Sequence, residues 1–243
     1  MITDYMVKKG EYVMVDLQNK LEFLLDKYSV ETKAVLKDCK TAVIDGKDTP
    51  ILSHRLERRF IELKNIVGGG TLQGISVMRV ARIVEKGTDI FAELYREFDI
   101  CEYILGRKIV AVTAMQNDNT LNVIATAEDA IVCTIEISAT LSKGEIAKDK
   151  HEIISQRGIA CDVVVDAQLK QDSIYVFGAE NKKFTDVDFE LYGLSIEDIA
   201  IIRSAITIAQ KGTMDEMIAI DSNLKVLVER AKASVTTRER QVI

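Results

Sequence analysis

The chain has 243 residues, of which 47% are apolar, with one proline, 13 glycines and a formal net charge of −6. That supplies apolar material for one large or two small packed domains and excludes collagen-like or disordered composition. The charges are interspersed, so no basic block offers to neutralise phosphates, and nucleic acid is not an expected partner.

No stretch approaches the ~18 consecutive apolar residues that a spanning helix needs. Residues 1–5 also lack the basic-then-apolar pattern of a secretory leader, so the expectation is a cytoplasmic protein with no membrane segment. The four cysteines, Cys39, Cys101, Cys133 and Cys161, are far apart, and none forms a C-x-x-C pair. They read as reduced, mostly buried thiols. With only His54 and His151 available and no paired-histidine motif, no metal site is expected.

In chain order, residues 12–15 read as a strand. Leu21, Leu24, Leu25 and Tyr28 then mark a helix capped by Asn19, and 32–36 reads as a second strand. A polar loop over 37–50 turns at Asp45-Gly46. Ser53 caps a helix whose core face is Leu56, Phe60, Leu63 and Val67, stopped by Gly68-Gly69-Gly70. Residues 75–84 form a strand. Thr88-Asp89 then opens the clearest helix of the chain, with Ile90, Leu94, Phe98, Cys101 and Leu105 on one face and Gly106 as its stop.

Strands follow at 109–115, 121–126 and 131–138, the last two as an antiparallel hairpin, and further strands at 151–155, 160–165 and 174–177. From Ser195 the pattern is helical again. Ile199, Ile202, Ile206 and Ala209 form one stripe, Met217, Leu224, Leu227 and Ala231 a second that ends near Ser234, and Val242-Ile243 adds a terminal strand. Consecutive strands with helices gathered around them give an α+β class: a large, open, mostly antiparallel sheet with helices on one face, preceded by a short α/β unit. The expected domains are 1–52 and 53–243.

Arg59-Phe60-Ile61-Glu62-Leu63 at a helix start, followed by Gly70-Thr71-Leu72-Gln73-Gly74 feeding a strand, resembles a passage of the glucose–fructose oxidoreductase/inositol dehydrogenase family. Phe98-Asp99-Ile100-Cys101-Glu102-Tyr103-Ile104-Leu105-Gly106 is similar to that family's H-D-x-D-x-x-x-x-L-L-G helix, and residues 12–18 resemble the strand that ends there in E-K-P. The resemblance implies the family's second, sheet-bearing domain. In the first passage the glycine turn carries one extra residue.

The family's catalytic positions have changed. Its E-K glutamate and lysine align with Asp16 and Leu17, and its D-x-x-x-H pair with Ala92 and Arg96. An arginine stays protonated at any usable pH and cannot shuttle a proton as histidine does, so the resemblance implies no catalytic residues and no dehydrogenation by the family's mechanism. No Rossmann domain is expected either. The one glycine-rich segment, 68–74, has helix before it and strand after, the reverse of a dinucleotide fingerprint, so no NAD(P) cofactor is expected on this chain.

Arg96 and Asp99, three apart on one helix, share a face that in the resembled family lines the substrate cleft, and could hold a hydroxylated or anionic ligand. The alternative is a surface ion pair contributing about 0–1 kcal/mol. Arg79 and Arg82 on the neighbouring strand carry the same two readings, ligand clamp or solvated side chains. His151 reads as an exposed strand end and His54 as a solvated residue in a first helical turn.

The near-continuous apolar run 131–137 suggests a strand covered on both faces. With the resemblance, it implies a homodimer joined sheet to sheet. Two functions then stand: a non-catalytic dimeric scaffold or small-polar-ligand binding protein, or the substrate-binding subunit of an NAD(P)-dependent oxidoreductase whose nucleotide-binding domain comes from another chain.

Overall fold

Leu17, Leu21, Leu24 and Leu25 recur at the spacing of one helical face, and in the computed structural model they form the buried stripe of a helix, α1 (Ile2–Lys27). The structure describes residues 2–162, 174–176, 182–184, 188–191 and 193–243. The expected strand at 12–15 is therefore part of α1, and Asn19 lies inside that helix rather than capping it. Four residues, three of them β-branched or aromatic, are too short a run to override the leucine periodicity that follows.

β1 (Ala34–Leu36) follows, then β2 (Thr41–Ile44) and β3 (Lys47–Pro50). The expected loop at 37–50 is thus mostly a hairpin, with Asp45 (φ 49°) and Gly46 (φ 77°) making the left-handed turn between its strands. α2 (Arg58–Gly68) starts after a single 3-10 turn at Ser53–Leu56, and its N-cap is Glu57, not Ser53. β4 (Ile75–Glu85) leads to α3 (Ile90–Leu105). Asp89 caps α3 by accepting from the Phe91 N–H at 2.9 Å, and Gly106, at φ 62°, ends it.

β5 (Ile109–Asn117), β6 (Thr120–Ala127), β7 (Val132–Leu141), β8 (Lys148–Ser155) and β9 (Gly158–Cys161) come next. β10 (Ile174–Val176) and β11 (Lys182–Phe184) form a separate two-stranded sheet. α4 (Ile196–Lys211), α5 (Met214–Thr237) and β12 (Gln241–Val242) complete the order. Ser195 caps α4 through the Asp198 N–H at 3.1 Å. Residues 163–165 and 177 of the expected strands lie outside the described residues.

Two compact units emerge: Met1–Leu56 with Ala167–Asp221, and Glu57–Asp166 with Ser222–Ile243. In the first, α1 packs on α4 and on the sheet β1-β2-β3. The Gln18 side-chain oxygen accepts from the Leu36 N–H at 2.8 Å and so ties α1 to the β1 edge. Asp188, 3% exposed, accepts from the Tyr28 hydroxyl, Lys27 and Arg203, and fastens the end of α1 to α4.

The second unit is built on a seven-stranded sheet ordered β12-β5-β6-β7-β4-β8-β9. Every pairing is antiparallel except the parallel β4–β7. α3 lies along one face, over Val80, Cys133, Ile135, Val123 and Ala125, all buried. The opposite face of β7 carries Val132, Thr134 and Glu136, only half-buried or exposed. Among the described residues, the run 131–137 is thus fully covered on one face and only partly on the other.

Ser234 of α5 is fully buried; its hydroxyl accepts from the Ala114 N–H at 2.9 Å and donates to the Glu239 carbonyl at 2.6 Å. It anchors the turn that brings β12 onto β5. Ser234→Ala takes the acceptor from the Ala114 N–H and leaves the Glu239 carbonyl only the Gln241 side chain at 3.4 Å, and should cost about 1–3 kcal/mol, read by denaturant unfolding, with faster amide exchange in β12 than in β6. Unchanged unfolding would show that the anchor is dispensable.

Candidate functional site

Side chains alternate along β8, so Asp149, His151 and Ile153 share its inward face. In register, Asp149 stands beside Arg82 of β4 and His151 beside Val80. α3 crosses above with Glu93, Arg96 and Glu97, and α2 brings Arg59 and Phe60. Asp162, just past β9, closes the group from the sheet edge.

The geometry converges on two centres. The first is the Asp149 carboxylate, which Arg59 grips with both terminal nitrogens, one at 2.8 Å. Arg82 donates to it at 3.1 Å and Arg96 at 3.4 Å. Each guanidinium has further partners. Arg59 bonds Glu57 at 2.8 Å and Asp162 at 3.1 Å, Arg82 bonds Glu93, and Arg96 bonds Glu57 at 3.0 Å and Glu97. Burial would push the Asp149 carboxyl up, but the hydrogen bonds and charge of Arg59, with the charge of Arg96, hold it down at about 2.

The second centre is His151, fully buried. Its Nε2 lies 2.8 Å from Glu97 Oε2 and its Nδ1 2.7 Å from Asp162 Oδ2, while its backbone N–H donates to Asp162 Oδ1 at 2.7 Å. The Phe60 ring meets the imidazole edge-on at 4.8 Å. Burial disfavours the charged ring, but the bonds to Asp162 and Glu97 outweigh it and raise the histidine above its ordinary value. Glu97, also fully buried, is in turn held below the ordinary carboxylate value by His151, Arg96 and Arg82.

The expectation of an exposed His151 is thus overturned: the inward face of β8 carries it under α3 and α2. Arg82 and Arg96 are brought together, both bound to Asp149. Asp99 is fully buried, so the reading of a solvated surface pair with Arg96 does not hold. Arg79 is exposed and, three residues from Arg82 on one strand, points to the opposite face of the sheet.

Asp16 is exposed on α1, and Leu17 beside it is fully buried. The likeness of 12–18 to the E-K-P strand therefore fails, because those residues are helical. Cys101 and Cys133 are buried and Cys39 and Cys161 exposed. The Cys101 thiol is held well above its ordinary value by its hydrogen bond to Cys133 and by burial, which keeps it unreactive.

Glu97, Asp149 and His151 each place one potential ligand atom within 4.8 Å of the others. Their ligand atoms are already committed to guanidiniums or to one another, so this is a closed ion-pair lattice rather than a set of open ligands. Sequence reasoning missed Glu97, Asp149, His151 and Arg59 as a set. A signal existed: Glu97 sits in the apolar stripe of Ile90, Leu94 and Cys101, and a charge there has to be paired.

No protein-family model matches the sequence, and no curated protein matches it. Solved structures do match in fold. A probable dehydrogenase from Thermotoga maritima has 16% identity and a TM-score of 0.57, over 79% of this chain and 63% of that one. A myo-inositol dehydrogenase from Corynebacterium glutamicum has 14% identity and a TM-score of 0.56, over 79% and 63%. The scyllo-inositol dehydrogenase from Lactobacillus casei, with bound NAD(H) and scyllo-inositol, has 13% identity and a TM-score of 0.53, again over 79% and 63%. The chain spans about 63% of the length of these structures. With its mostly antiparallel seven-stranded sheet and no Rossmann pattern among the described residues, this chain has the fold of the sheet-bearing domain of the inositol dehydrogenase-type oxidoreductases.

Proposed function

We propose that this chain is non-catalytic, a homodimeric scaffold or a small-polar-ligand binding protein. The observation that carries the reading is the state of Arg96. By the sequence resemblance it falls where the family has its histidine, and its guanidinium is bound to Glu57, Glu97 and Asp149. A side chain so held, and protonated at every working pH, offers no proton exchange to a substrate alcohol. Arg82 and Arg96, whose side chains keep 13% and 17% of their surface, are the ligand-side residues of this proposal, and the fully buried Asp99 is not among them.

The dimer contact is the outer face of the large sheet, to which Arg79 belongs. Ile124 is 56% exposed and Met115 69%, a share of apolar surface suited to a second sheet. Among the described residues, no helix is long and apolar enough to cross a membrane.

Sedimentation of the purified chain should give a dimer that Ile124→Asp weakens at least ~10-fold, because the change puts a charge into the contact. A monomeric wild type would remove the scaffold half of the proposal. Thermal melting with inositols, sugars and organic acids tests the ligand half, since a ligand at ~100 times its Kd adds about 2.7 kcal/mol. Silence across that panel would remove it.

A second reading has support of its own. The Lactobacillus casei myo-inositol dehydrogenase was solved with NAD(H) and myo-inositol, and this chain covers 60% of it. A nucleotide-binding subunit in another chain could supply the rest. A melting shift with NAD or NADP, or a nucleotide-binding chain that co-purifies, would favour this reading over the first.

A further inference from the structure

The surroundings of His151 set a proton-counting problem. Both ring nitrogens lie within 2.8 Å of a carboxylate oxygen, Glu97 on α3 from one side and Asp162 beyond β9 from the other. A neutral imidazole carries one N–H, so one carboxylate oxygen would face a bare nitrogen lone pair in a buried site. Only the imidazolium satisfies both contacts with ionised carboxylates. The other charged groups around it fit that state. Arg96 and Arg82 engage Glu97 from α3 and β4, Arg59 of α2 engages Asp162, and Asp149 lies two residues away on β8. Beyond them stand Glu57 and Glu93, each bound to arginine, while the Phe60 ring meets the imidazole and Val80 lies beside it on β4.

We infer that His151 is a charged clamp at neutral pH, holding α3 and Asp162, just past β9, onto β8, and that loss of its proton opens the clamp from one side. The second unit is then an alkali-sensitive body. The histidine is raised above its ordinary value of 6.5. Its contribution is therefore complete below about 6.5 and is lost as pH climbs through the raised value. Stability falls on the alkaline side, while the Asp149 centre responds only to acid. The clamp goes beyond the scaffold reading and stands whether or not a ligand binds.

Nitrogen-15 imidazole correlation spectra of the wild-type chain test it directly, with His54→Gln assigning the two histidines. At pH 7.5 both ring nitrogens of His151 should read as protonated, with slowly exchanging ring protons. A ring with one unprotonated nitrogen at pH 6.5–7.5 would overturn the inference. The second measurement is Asp162→Asn, which removes one negative partner and should lower the His151 titration midpoint by about 1 unit or more. An unmoved midpoint would also overturn the clamp. If that variant does not fold, the wild-type spectrum decides alone.

Discussion

Asp149→Ala should destabilise the protein by about 2–4 kcal/mol, seen as a fall in Tm of about 5–15 °C. Three guanidiniums share this carboxylate, and its loss takes one hydrogen-bonded ionic partner from each of them beside β8. The value lies toward the lower part of what removing one partner from a buried pair costs. Arg59, at 31% exposure, keeps some solvent to screen it.

The acid limb separates this from ordinary damage. The wild-type carboxyl is depressed from 3.8 to about 2, so its stabilisation is complete above pH 3.8 and disappears as pH falls through about 2. Asp149→Asn keeps the shape but should lack that part of the acid transition. If wild type and Asp149→Asn lose stability in parallel between pH 4 and 2, the arginines are not holding a charged Asp149.

Phe60→Ala should cost about 3–5 kcal/mol, the usual price of emptying a buried aromatic site. The ring is fully buried, touches the His151 edge, and lies under the Arg59 guanidinium at 4.4 Å and that of Arg96 at 5.5 Å. It is the apolar wall of the ion-pair lattice. Phe60→Leu keeps most of that filling and should cost about a third as much. Chemical denaturation of both variants measures this, and equal losses would mean that the ring's shape, not its volume, is what the site requires.

Much of the architecture was legible where one period dominates. α3 announces itself through Ile90, Leu94, Phe98, Cys101 and Leu105 between an aspartate cap and a glycine stop, and α4 does so from Ser195. The hairpin of β6 and β7 reads from its two apolar runs. What stayed hidden has physical causes. β2 and β3 are four residues each, within a polar stretch where short alternation carries little weight. The run at 12–15 has strand-forming residues but lies in a helix whose periodicity only becomes plain after Leu17.

The candidate site was half legible. Arg82 and Arg96 could be singled out because a resemblance drew attention to their elements, whereas their partners come from α2, β8 and beyond β9. Such convergence depends on strand register, which a local pattern does not encode. His151 shows the limit most sharply. Its position at a strand suggested exposure, and only the burial of alternate residues under α3 reveals that it lies inside.

The single parallel pairing, β4 with β7, has a consequence for how the chain is made. β4 is an apolar central strand whose two neighbours, β7 and β8, both lie later in the sequence, beyond α3, β5 and β6. During synthesis it leaves the ribosome several dozen residues before either of them. It must wait with both edges unpaired while β5 and β6 can already form their hairpin. The centre of the sheet thus cannot close before β8 has emerged, and until then nascent chains are exposed to wrong edge-to-edge pairing.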